Sequence, residues 1–80
     1  MDRAALLERL RGVVAEVLEV PSLPPDASMD ATPEWDSLRQ LQVIYAVERV
    51  FGVEIAPEDA IGMTSLPAIA DRVLALGARR

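Results

Sequence analysis

The sequence predicts an all-α fold: a small bundle of three main helices plus one short helix, with a long ordered loop between helices I and II. Three observations predict it. Apolar residues recur at three- and four-residue steps in three separate stretches, the spacing of helices packed along one side. The one extended-looking stretch, Val53-Glu54-Ile55, is too short to commit as a strand. Four of the six prolines crowd into residues 20–36 and break the helical pattern there. At 80 residues the chain has room for one domain, residues 1–80, with little apolar area to spare for a deep catalytic pocket.

Helix I is predicted over about residues 2–19. Leu6, Leu10, Val13, Val14, Val17 and Leu18 form its inward stripe, and Glu8, Arg9, Arg11, Glu16 and Glu19 fall mostly elsewhere. Pro21 stops it. Residues 20–36 form the loop, with Asp26, Ser28, Asp30 and Thr32 as turn formers and Leu23 and Met29 as apolar pins onto the helices. Helix II is predicted over about 37–51, with Leu38, Leu41, Ile44, Tyr45, Val47 and Phe51 as its apolar side and Gly52 as its terminator. Val53 and Ile55 are expected to plug the core from an extended link. A short helix follows at about 57–61, with Pro57 and the acids Glu58 and Asp59 suited to its first turn. The last helix is expected over about 66–77, capped by Thr64 or Ser65 and packed through Leu66, Ile69, Ala70, Val73, Leu74 and Leu76. Residues 77–80 are expected to fray.

Composition excludes several kinds of chemistry. The chain has no Cys and no His, so it carries no disulfide, no thiolate nucleophile and no imidazole base or metal ligand. Its formal net charge of −5 repels phosphate backbones, which argues against a nucleic-acid partner. No apolar run approaches the ~18 residues of a membrane span. The N-terminal segment lacks the pattern of a signal peptide, and a cytoplasmic monomer is expected. Asp26, Asp30, Glu34 and Asp36 do not follow the order of a calcium loop, so a solvated acidic loop is the expected reading.

The segment that stands out is Glu34-Trp35-Asp36-Ser37-Leu38, where the loop meets helix II. Ser37 with Gln40 fits a capping box, so Ser37 could simply cap the helix. Alternatively Asp36 is the cap and Ser37 lies in the first turn with a free hydroxyl. The helix start also favours a phosphate close by. With no His or Cys in the chain to activate Ser37, any reaction there needs a base and an electrophile from another protein. Trp35 could be a docking aromatic, or a staple fixing the angle at which the loop meets the helix.

Asp36-Ser37-Leu38, followed by Leu41, Val43-Ile44, Ala46-Val47-Glu48, Phe51-Gly52, Glu54-Ile55 and Thr64-Ser65-Leu66, resembles the acyl carrier protein family over nearly the whole chain. The resemblance implies a carrier and not an enzyme. It implies that Ser37, flanked by Asp36 and Leu38, receives 4′-phosphopantetheine from coenzyme A and holds an acyl or aminoacyl cargo as a thioester. It implies as partners a phosphopantetheinyl transferase, a loading ligase or acyltransferase, and downstream condensing or modifying enzymes. Trp35, Arg39, Gln42, Tyr45, Glu48 and Arg49 would meet them. Fatty-acid carriers are richly acidic on helix II, whereas Arg39, Gln42 and Arg49 stand here at positions often acidic there, and Val50 replaces another common acid. Together with the Glu-Trp-Asp-Ser-Leu wording, this points to a free-standing carrier of a specialised biosynthetic pathway. The competing expectation is an acidic helical interaction module in which Ser37 is a cap only.

Overall fold

The computed structural model describes residues 2–77. The expected fraying of 78–80 lies outside the described residues. Helix α1 runs Arg3–Leu18, α2 Ser37–Phe51, α3 Pro57–Ile61 and α4 Leu66–Ala75. The chain forms the expected all-α bundle, with α1 packed against both α2 and α4. A Cα radius of gyration of 11.2 Å agrees with the value of about 12 Å expected for a compact domain of this length.

Each helix has a definite beginning. Asp2 caps α1, its Oδ1 accepting from Ala5 N at 2.8 Å. Ser65, and not Thr64, caps α4 through Ala68 N at 3.2 Å. Pro57 opens α3 at the position where a missing N–H costs nothing. The ends are equally local. Glu19 terminates α1 in a left-handed conformation (φ 59°) that is uncommon for a residue with a side chain, and Gly52 does the same for α2 at φ 66°. The last helix, expected to about residue 77, stops at Ala75, because Leu76 is its cap and Gly77 turns the chain away at φ 76°.

The core is built from Leu6, Leu10, Val14 and Leu18 of α1, Val43, Val47 and Phe51 of α2, and Leu66, Ile69, Ala70 and Val73 of α4. Met63 and Val53 fill it from the links, Val53 from the segment expected to plug the core. In α2 the buried side differs from the predicted one. Leu38, Leu41 and Tyr45 are 67%, 67% and 71% exposed, and Val43 takes the place given to them. The reason lies in the helix itself. Apolar residues occur at 38, 41, 43–47 and 50–51, so two overlapping stripes can be drawn on it. The positions of α1 and α4 choose the 43/47/51 stripe.

The loop of residues 20–36 is ordered because it is stitched down along its length. Leu23, Ala27, Thr32 and Trp35 are buried, and Met29 is half-buried against the core. Arg11 Nε donates to Leu23 O at 2.9 Å. Further on, Met29 N donates to Thr64 O and Leu66 N to Ala27 O, each at 2.9 Å, in an isolated antiparallel bridge between Ser28 and Ser65. This bridge ties the middle of the loop to the start of α4, and so fixes how the chain arrives at α2. No helix among the described residues is long and apolar enough to cross a membrane.

Candidate functional site

The candidate site is the first turn of α2. Asp36 is the N-cap, in extended conformation, with its Oδ1 accepting from Arg39 N at 2.9 Å. Ser37 is therefore the first residue inside the helix, which decides between the two capping alternatives. The capping box does not form, because the Gln40 side chain is used elsewhere. Its Oε1 accepts from Trp35 Nε1 at 2.7 Å, and its Nε2 donates to Met63 O at 2.8 Å. Trp35, Gln40 and Met63 thus form a polar clasp that joins the loop end, the first turn of α2 and the α3–α4 link.

Ser37 is exposed. Its hydroxyl has no hydrogen-bond partner among the described residues. With the cap function discharged by Asp36, that hydroxyl is left free for chemistry. The first backbone N–H groups of the helix stand beside it, and they favour a nearby anionic phosphodiester. A phosphate ester on Ser37 therefore fits the residues present: the oxygen is accessible and the local dipole has the right sign.

The structure separates the residues expected to meet partners into three sets. Leu38, Gln42, Tyr45 and Arg49 are exposed on α2. Arg39 and Glu48 are half-buried and engaged within the domain. Arg39 Nη1 donates to Val17 O at 2.6 Å and lies 3.5 Å from Glu19 Oε2, tying the start of α2 to the end of α1. Glu48 Oε2 accepts from Ile55 N at 2.8 Å and holds the link after α2.

Of the two alternatives for Trp35, the partner-facing one is overturned and the packed staple holds: Trp35 is 2% exposed and its indole N–H is bonded inside the clasp, so it fixes the approach to the helix. Further large apolar residues are exposed. Leu41 lies one helical turn from Ser37, and Ile61 on α3 is also exposed. An i, i+3, i+7 step through Leu38, Leu41 and Tyr45 was the available signal, but it reads equally well as a core stripe.

Residues 8–73 match the protein family described as "Phosphopantetheine attachment site". The chain is also 33% identical over 73 residues to an acyl carrier protein of Thermosynechococcus vestitus, covering 89% of this chain and 90% of that one. It is 33% identical over 76 residues to an acyl carrier protein of Rubrobacter xylanophilus, covering 92% of this chain and 94% of that one.

Proposed function

From membership of the acyl carrier protein family, to which this chain belongs, we propose that Ser37 is the residue that bears its 4′-phosphopantetheine. Members of this family carry and do not catalyse, and the prosthetic group is covalently attached. The group supplies the thiol that the chain, without cysteine, lacks. Attachment requires the Ser37 oxygen to displace 3′,5′-ADP from the pantetheine-side phosphorus of coenzyme A. An O–P bond forms, the anhydride P–O bond breaks, and the hydroxyl proton passes to a base on the transferase. Ser37 contributes accessibility, and Asp36 keeps the helix start formed around it.

The observation that carries this reading is the division of labour between Asp36 and Ser37. The aspartate caps the helix, and the hydroxyl of the serine, exposed at the next position, has no hydrogen-bond partner among the described residues. The exposed stripe of Leu38, Leu41 and Tyr45, with Gln42 beside it, supports the further proposal that this face meets the transferase, the loading enzyme and the enzymes that use the cargo. Delivery then works by tethering: the arm raises the local concentration of cargo at whichever enzyme is docked. The replacement of α2 acids by Arg39, Gln42 and Arg49 supports a role in a specialised biosynthetic route, with an acyl or aminoacyl cargo. A cytoplasmic setting belongs to the same proposal.

Intact-protein mass spectrometry after incubation with coenzyme A and a broad-specificity phosphopantetheinyl transferase tests it. The expected result is a gain of one phosphopantetheine that maps to Ser37 and disappears in Ser37→Ala. A gain that persists in Ser37→Ala overturns the assignment. So does the absence of any gain with several unrelated transferases that load a control carrier.

A further inference from the structure

A second surface lies beyond the stripe, on the side of α2 that faces α1. The start of α2 is bonded to the end of α1 through Arg39 and Val17, and Arg9 in the middle of α1 stacks over Phe51 at the end of α2, 5.6 Å from its ring centre. The two helices are therefore antiparallel neighbours, and an open groove of about 680 Å³ runs between them. Val13 and Val17 from α1 and Ala46 and Val50 from α2 form its apolar floor, and Arg9 and Arg49 stand on its walls. Tyr45, Ala46 and Arg49 also line an adjoining recess with Gln42, so the groove is continuous with the exposed face that begins beside Ser37.

The charges in this groove are unlike those of the rest of the molecule. Arg3 pairs with Asp71, Arg11 with Glu8, Arg39 with Glu19 and Arg72 with Asp59. Among the described residues Arg9 and Arg49 are the arginines with no carboxylate within ion-pair distance, and both line this groove. Glu16 is the one acid on its walls, so two guanidiniums face one carboxylate on a chain whose net charge is −5. Arg9 is held in place by the aromatic face of Phe51, which lowers the entropy lost when it engages a ligand.

We propose that this groove docks an acidic amphipathic helix of a partner protein, a surface that rests on the carrier reading and specifies the chemistry of the enzyme met. Two packed helices with an apolar furrow between them are shaped to take a third helix. Its apolar face covers Val13, Val17, Ala46 and Val50, and carboxylates on its flanks meet Arg9 and Arg49. Charge complementarity sets which partner is accepted: a basic helix would place cations against both guanidiniums.

The test titrates the ¹⁵N-labelled full chain with three helical peptides that share one leucine face and carry glutamate, glutamine or lysine on its flanks. The glutamate peptide is expected to shift the amides of Val13, Val17, Ala46 and Val50. Its affinity should fall by about ten-fold in the double variant Arg9→Glu/Arg49→Glu, the size of change that loss of a few close charge pairs produces. The lysine peptide should bind the same amides in that variant, a charge-swap rescue that a merely unfolded groove cannot give. Arg9→Gln/Arg49→Gln provides a second variant without reversed charge and should weaken the glutamate peptide alone. The proposal is overturned if the glutamate peptide leaves the groove amides unmoved, or if both double variants bind it as the parent does. Phosphopantetheinylation of the parent chain at Ser37 is scored separately. Its failure counts against the carrier reading, whereas a loaded chain whose groove ignores the acidic peptide sinks only the docking surface.

Discussion

At the scale of single residues, the first turn of α2 sets a structural cap and an exposed serine on adjacent positions. Asp36 satisfies the Arg39 N–H, and the Ser37 hydroxyl has no hydrogen-bond partner among the described residues. Stability and function should therefore separate cleanly. Ser37→Ala is expected to shift unfolding stability by less than ~0.5 kcal/mol, because alanine suits a helix and no bond is removed. Asp36→Ala should cost about 1 kcal/mol through the lost cap. Urea denaturation midpoints of the two variants check this, and a larger loss for Ser37→Ala than for Asp36→Ala would mean that the serine is the cap after all. The adjacency of acid, serine and leucine at a helix start was legible in the sequence, because capping is a local matter of a few bonds. The fate of Trp35 was not. Its burial depends on Gln40 and, through Gln40, on the carbonyl of Met63, which lies 23 residues further along the chain.

At the scale of elements, α2 has two jobs and two apolar faces. One face, through Val43, Val47 and Phe51, closes the core. The other, through Leu38, Leu41 and Tyr45, is open to solvent beside Ser37. An apolar stripe of this kind is a marker of a binding surface when its residues lie together, and here they share one helix face. The two faces predict opposite mutational costs for residues of one class. Phe51→Ala should destabilise the domain by about 3–5 kcal/mol, since the ring is fully buried and its removal leaves a cavity. Leu41→Ala should change stability by less than ~0.5 kcal/mol, the range for surface sites. Thermal or chemical unfolding of both variants checks this. A Leu41→Ala loss near that of Phe51→Ala would restore the stripe first drawn from periodicity. That reading erred because 3.6-residue periodicity finds apolar faces without distinguishing one packed into the core from one left open to solvent.

At the scale of the whole molecule, an 80-residue chain has a small core, and its long loop must help to hold it. The loop does so through the bridge between Ser28 and Ser65, which joins it to the start of α4. The amides of Met29 and Leu66, which make that bridge, should therefore exchange with solvent as slowly as core helical amides, opening only when the domain unfolds. Hydrogen–deuterium exchange by NMR checks this; exchange of Met29 as fast as that of an exposed loop amide would show that the loop opens independently. The sequence by itself determined the helical class, the proline-broken loop, the candidate caps of α2 and α4, and Ser37 as the candidate for the chemistry. All of these follow from short-range rules: helix period, capping bonds, φ restriction and the absence of Cys and His. Only the tertiary structure decided which side of α2 is core, that Trp35 and Arg39 hold the domain together, and that Arg9 and Arg49 share one groove. These depend on contacts between residues distant in the chain, and local patterns carry no record of which side chains will meet once the helices pack.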